Sequence, residues 1–250
     1  MRRLDQLLLA RGLAPEPEAA RRLIVGGEVL FNGRPLLNPA AQVAASGDIR
    51  LLPRRRYVSR AGEKLAAGLT AFGLHPHGWT CLDVGASTGG FTDCLLQAGA
   101  ARVYSVDVGH GLLDWGLRQD ARVTVLERTN AKQLTRDLIA LPLDLAVIDA
   151  SFIGLAAVLA PLPPLFSGPV RIIALVKPQF ELPRELVPTG GVVRDPALRQ
   201  QAVDHAVSAA ARLGLCADGT LDSPVAGAKG NREILLYLVR DEDAAPASSD

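Results

Sequence analysis

Cysteine is scarce in this 250-residue chain: Cys81, Cys94 and Cys216 are the only three. Their spacing pairs with nothing, which excludes a disulfide-stapled scaffold and a zinc cluster, so no metal site is expected. Reduced thiols point to the cytoplasm. Long apolar runs are equally rare. Leu7-Leu8-Leu9-Ala10 stops at Arg11, short of the roughly 7–15 apolar residues of a secretion signal. Residues 150–170 carry no charge, a length close to the ~20 residues of a membrane span. Pro161, Pro163, Pro164 and Pro169 break its second half, which predicts a buried helix, a proline-rich turn and the start of a strand instead. What is present is ordinary for a folded chain: 48% hydrophobic and 21% charged residues, which excludes wholesale disorder.

Lysine is the other scarcity. Only Lys64, Lys132, Lys177 and Lys229 stand among 27 basic residues. Where arginine is the default cation, a retained lysine marks a place that uses a compact amine able to lose its proton. The net charge of +1 also hides a division. Residues 1–60 hold eleven arginines and five acids, a net +6, while residues 61–250 hold 16 basic and 21 acidic residues, a net −5. A basic module joined to a slightly acidic one suggests a nucleic-acid partner.

The basic module, residues 1–52, predicts two short helices and a few small strands. Leu4, Leu7, Leu8 and Leu13 mark a helix ending near Gly12, and Ala19, Ala20, Leu23 and Ile24 mark a second stopped by Gly26-Gly27. Asn32-Gly33 after Val29-Leu30-Phe31 is a hairpin signal, and Gly47-Asp48 is a turn before Ile49. The stretches Arg3-Leu4-Asp5, Arg11-Gly12-Leu13, Ala20-Arg21-Arg22-Leu23-Ile24, Asn32-Gly33 and Gly47-Asp48 together resemble the S4 RNA-binding domain. The resemblance implies a reader of structured RNA, with Arg3, Arg11, Arg21, Arg22 and Arg34 as RNA contacts. Pro15-Glu16-Pro17-Glu18 stands where that family opens its second helix with a Ser-Arg pair. Residues 53–58 read as a basic linker, and Arg54, Arg55, Arg56 and Arg60 are further candidate RNA contacts. Tyr57 after the arginine run suits stacking on a base or packing between domains.

From residue 59 to 240 strand and helix alternate. Apolar strands are predicted at 80–84, 102–106, 122–126, 143–148, 171–176 and 233–239, with helices at 91–98, 155–162 and 197–213. That alternation implies an α/β fold, a mostly parallel Rossmann-like sheet with helices on both faces. Ligand sites then lie beyond the carboxyl ends of the strands, near 84, 107, 149 and 177. The acidic residues 241–250 read as an unstructured tail.

Those ends carry the chemistry. Asp83 precedes a turn, Gly85-Ala86-Ser87-Thr88-Gly89-Gly90-Phe91, and Asp107 ends the next strand, 24 residues later. An acid there suits ribose hydroxyls. The spacing is neither G-x-G-x-x-G nor a P-loop, which favours S-adenosylmethionine, a cofactor without phosphate. Asp149 ends another strand in Asp149-Ala150-Ser151-Phe152. The missing Pro-Pro argues against methylation of a base amine, and no cysteine follows a proline to serve methylation of a base carbon. Lys177 ends a buried strand, where burial disfavours the charged form and makes a lysine a candidate base. Glu233 stands at the mouth of a late strand, where an exposed edge charge is the lesser alternative to a functional role, and Lys64 by itself reads as a solvated helix residue.

Taken together, Lys64, Asp149, Lys177 and Glu233 resemble, in chain order, the catalytic set of the FtsJ-like ribose 2′-O-methyltransferases. The phrases Val176-Lys177-Pro178-Gln179-Phe180, Gly190-Gly191-Val192-Val193-Arg194-Asp195 and Gly230-Asn231-Arg232-Glu233 resemble the TlyA-type family, which joins an S4 domain to this fold and some of whose members are called haemolysins. The resemblance implies methyl transfer from S-adenosylmethionine to ribosomal RNA or ribosomal subunits. It places Asp83, Gly85, Ser87, Thr88, Gly89, Gly90, Phe91, Asp107, Val108, Asn130 and Asp149 around the cofactor. No obligate protein partner is evident. Two other classes compete: a membrane-active haemolysin, which needs an amphipathic or spanning segment that is not visible, and a non-catalytic RNA-binding protein, against which the intact set of four polar residues speaks.

Overall fold

The computed structural model describes residues 1–25, 27–52, 56–151, 154–227 and 230–240. The chain divides into two units, Met1–Arg55 and Arg56–Asp250. The first unit runs β1 (Arg2–Arg3), α1 (Leu4–Ala10), α2 (Pro17–Val25), β2 (Val29–Phe31), β3 (Arg34–Pro35), β4 (Gln42–Val43) and β5 (Ile49–Leu51). Leu4, Leu7 and Leu8 of α1 pack on Ala20 and Ile24 of α2 and on Val29 and Val43. Asn32 and Gly33 both take positive φ, 49° and 77°, and form the two-residue turn between β2 and β3. The antiparallel pairing of β1 with β4 was not predicted, because two residues carry no period.

The second unit runs α3 (Ala61–Ala71), β6 (Thr80–Val84), α4 (Gly90–Gln97), β7 (Arg102–Val106), α5 (Trp115–Gln119), β8 (Val123–Leu126), β9 (Leu145–Ile148), α6 (Leu155–Leu159), β10 (Val170–Val176), α7 (Pro178–Glu181), α8 (Pro196–Ala211), β11 (Cys216–Asp222) and β12 (Ile234–Arg240). The seven strands lie in the order β11-β12-β10-β9-β6-β7-β8. β12 is antiparallel to both its neighbours, and the other pairings are parallel. Successive strand residues alternate between two cores. Leu82, Ala146, Ile172 and Leu236 face α6 and α8, whereas Cys81, Val147, Ile173 and Leu235 face α3 and α4. A sheet buried on both faces explains why its strands read as continuous apolar runs.

Three departures from the sequence expectation have local causes. β11 was not predicted: it is an exposed edge strand with a register shift between Ala217 and Gly219, so it shows no alternation. α6 ends at Leu159 rather than 162, because Pro161 has no N–H to continue the helical ladder. Glu233 stands one residue ahead of β12 rather than inside a strand. The tail expected at 241–250 lies outside the described residues, as do Arg54 and Arg55.

The sheet order reverses at β6, which lies between β9 and β7, so a crevice opens beyond the carboxyl ends of these strands. There the backbone of Gly85 runs against that of Asp149. A Cβ on Gly85 would stand 2.7 Å from the Asp149 carbonyl oxygen, and its φ is +84°. Gly85→Ala is expected to destabilise the chain by about 1–3 kcal/mol, the range of strained backbone, as read by urea denaturation.

Candidate active site

Two adjoining cavities occupy the crevice. One, of about 430 Å³, is lined by Gly85, Ser87, Asp107, Val108, Asn130 and Asp149 among others. The second, of about 490 Å³, is lined by Lys64, Asp149, Lys177, Gln179, Asn231 and Glu233 among others. Gly85, Ser87, Asp149 and Ser151 border both.

The second cavity is built on two lysine–carboxylate pairs. Lys64 Nζ meets Glu233 Oε2 at 2.5 Å, and both side chains are at most 9% exposed. Lys177 Nζ meets Asp149 Oδ1 at 2.6 Å. The amine also donates to Ser151 Oγ at 2.8 Å and to the Asp149 carbonyl at 3.3 Å. Each charge comes from a different element: Lys64 from the buried face of α3, Asp149 after β9, Lys177 after β10 and Glu233 before β12. The antiparallel register, Val176 opposite Ile234, sets Glu233 and Lys177 at the same edge of the sheet. Lys64 is thus a buried residue and not the solvated one that its helix alone suggests.

The first cavity is shaped by the glycine turn. Both oxygens of Asp107 accept backbone N–H groups, Oδ2 from Ser87 at 2.8 Å and Oδ1 from Gly109 at 2.7 Å, which fixes the carboxylate at the cavity wall. Asn130 Oδ1 caps the short helical turn that follows it by accepting from Lys132 N. Val108 is largely exposed beside it. No lysine or arginine lines this cavity among the described residues.

Five residues expected around a cofactor do not line either cavity: Asp83, Thr88, Gly89, Gly90 and Phe91. Asp83 lies fully buried beneath the turn, where its Oδ2 accepts from Thr92 N and Oγ1, and its Oδ1 has no hydrogen-bond partner. Burial pushes its pKa up to about 7, against the lowering effect of the Thr92 hydrogen bonds. A Cβ on Gly89 would collide with Leu117, and one on Gly90 with Ser59, so these glycines serve close packing of the turn. Phe91 is core, and Thr88 is exposed.

The basic residues divide similarly. Arg3 is tied to Asp5 at 2.7 Å and holds that carboxyl below its usual range. Arg11 donates to the carbonyls of Gly47 and Ala45. Arg21, Arg22, Arg34, Arg56 and Arg60 are exposed. Tyr57 is buried within the second unit under the Arg56 guanidinium, 5.1 Å from its ring centre, and burial raises its phenol to about 12.

Sequence reasoning missed Ser151 and Asn231. Ser151 belongs to a tetrapeptide inspected only for its prolines. Asn231 is 2% exposed; it accepts from Val193 N at 2.8 Å and donates to Gly191 O at 2.7 Å, holding the 190–193 segment at the cavity rim. A polar residue between Gly230 and Arg232, two positions before Glu233, was its only signal.

Residues 57–240 match the FtsJ-like methyltransferase family, and residues 2–49 match the S4 domain. The chain is 45% identical over 245 residues to the 16S/23S rRNA (cytidine-2′-O)-methyltransferase TlyA of Mycobacterium tuberculosis, spanning 97% of this chain and 91% of that protein. It is 37% identical over 241 residues to Hemolysin A of Brachyspira hyodysenteriae, spanning 95% and 99%. A solved structure from Streptococcus thermophilus with a provisional hemolysin designation superposes with a TM-score of 0.72 at 35% identity, covering 98% of this chain and 90% of that one.

Two outcomes test the site's electrostatics. Glu233→Leu strands a buried ammonium and is expected to destabilise the chain by about 3–5 kcal/mol, whereas the double change Lys64→Met with Glu233→Leu recovers most of that loss in denaturant titration. Between about pH 4, where an unfolded aspartate ionises, and about 7, the folded chain keeps the Asp83 proton that the unfolded chain has released. Stability therefore falls as pH rises through that window and levels off above it. Asp83→Asn should be less sensitive across the same window.

Proposed function

The chain belongs to the FtsJ-like methyltransferase family, with an S4 domain ahead of the catalytic unit, and we infer from this how its residues carry out methyl transfer. It is an S-adenosylmethionine-dependent enzyme that methylates a ribose 2′-hydroxyl of ribosomal RNA. A ribosomal RNA substrate supports a cytoplasmic location.

The 430 Å³ cavity fits the cofactor by its chemistry. A sulfonium carries positive charge and no phosphate, and the cavity offers Asp107 and Asp149 with no described cation. Asp107 would hold the cofactor's ribose hydroxyls, and Asn130 and Val108 would stand by its adenine. Bound S-adenosylmethionine supplies an electrophilic methyl group. The chain's own residues do the rest. Lys177, 2.6 Å from Asp149, orients the ribose hydroxyl as an ammonium and, once it has released a proton to solvent, takes the hydroxyl proton as transfer proceeds. Asp149 fixes the amine and balances its charge. Lys64 and Glu233 line the same cavity and hold each other in place. Orienting acceptor and donor in one crevice can lower a barrier by on the order of 7–11 kcal/mol. Exposed arginines of the S4 unit, Arg21, Arg22 and Arg34, meet phosphates, so binding weakens as salt rises.

The observation that carries this function is the meeting of Lys64, Asp149, Lys177 and Glu233 on one cavity that borders the glycine turn. Lys177→Ala is expected to lower methylation of ribosomal subunits by at least about 100-fold while S-adenosylmethionine still binds, as read by calorimetry. Alkaline digestion of the product RNA checks the chemistry, since a 2′-O-methyl group protects its own linkage from cleavage. Unchanged turnover of the variant removes Lys177 from the mechanism.

A further inference from the structure

An ammonium has three N–H donors, and three protein oxygens take up those of Lys177: Asp149 Oδ1 at 2.6 Å, Ser151 Oγ at 2.8 Å and Asp149 O at 3.3 Å. A substrate hydroxyl reaches this amine only by displacing one of them. Asp149 is anchored, because its own N–H donates to Val84 O at 2.9 Å at the end of the parallel ladder. Ser151 lies three residues beyond the strand end, is exposed, and swings its hydroxyl aside by one rotation about χ1.

The position of that hydroxyl is informative. A methyl acceptor must stand where the cofactor cavity meets the cavity that holds the base, within hydrogen-bond reach of the amine. Ser151 borders both cavities, and its Oγ is already at that distance. We propose that Ser151 is a placeholder: in the RNA-free enzyme its hydroxyl occupies the position on Lys177 that the ribose 2′-hydroxyl takes during reaction. The proposal rests on the methyl-transfer function given above.

A tethered competitor lowers the apparent affinity for the group it mimics, because only chains with the position vacated accept substrate. In Ser151→Ala the tethered hydroxyl is gone, and loose water is the remaining rival. KM for unmethylated ribosomal subunits is then expected to fall about threefold, with kcat/KM rising to match. Ser151→Thr keeps a hydroxyl and should return KM toward the wild-type value, a recovery that a purely structural role would not produce.

The test measures initial rates with labelled S-adenosylmethionine and unmethylated 30S and 50S subunits on wild type, Ser151→Ala and Ser151→Thr. A tenfold or greater loss of kcat in Ser151→Ala at unchanged KM overturns the placeholder and makes Ser151 a supporting group of the transfer. Rates unaltered in both variants overturn it as well. Absence of alkali-resistant product from the wild type itself overturns the methyl-transfer function, and the placeholder with it.

Discussion

The structure depends on keeping two buried ammonium groups satisfied at the edge of one sheet. An unpaired charge in such a place is costly, so each amine needs a carboxylate within reach, and both carboxylates come from distant chain positions. Lys64 and Glu233 are 169 residues apart, and their pairing is correct only when α3, β12 and the strands between them have all assembled. A buried pair of this kind adds little net stability, yet it is satisfied only in the native arrangement. A slip of β12 by one residue against β10 would turn Glu233 to the other face and leave Lys64 stranded.

A second constraint acts at closer range. The backbone of Gly85 passes so near Asp149 that no side chain fits between them. The glycine turn and the acidic strand end are thereby one rigid wall shared by both cavities. The carboxylate of Asp149 faces the cofactor side and the amine side together, which suits a group that must act on both partners. Asp107 is held by two backbone N–H groups, so this acid is aimed by main chain rather than by a mobile side chain.

Much of this was legible in the sequence, and the illegible part has a common cause. β6 and β7 begin and end where their apolar runs do, at Thr80–Val84 and Arg102–Val106, because strands buried on both faces need unbroken apolar sequence. The glycine turn at the carboxyl end of β6 followed from that spacing. Lys64 was not legible from its own helix: a lysine among alanines and leucines looks solvated until a carboxylate far along the chain is brought to it. Asp83 was misplaced for the opposite reason. Its position before the turn suggests ligand contact, yet the strand parity that buries Leu82 on one face turns Asp83 into the other, beneath α4. Arg3 and Arg11 count as basic in composition while the folded unit uses them on Asp5 and on carbonyls. In each case the missing information is a tertiary partner.

The antiparallel strand ties these points together. Were β12 parallel to β10, its first residues would lie at the amino edge of the sheet, far from every other strand end that bears a functional group. Running it in reverse brings the residue before Ile234 beside the residue after Val176, and so adds Glu233 to a crest otherwise built by carboxyl ends. Asn231 and the 190–193 segment it holds arrive at the cavity by the same reversal. A nucleotide-binding sheet of purely parallel strands offers groups from one kind of strand end. The reversed strand supplies the additional acid that lets a second lysine be buried there, and with it a crevice that has two amines on one side and, on the other, a cavity lined by no lysine or arginine among the described residues.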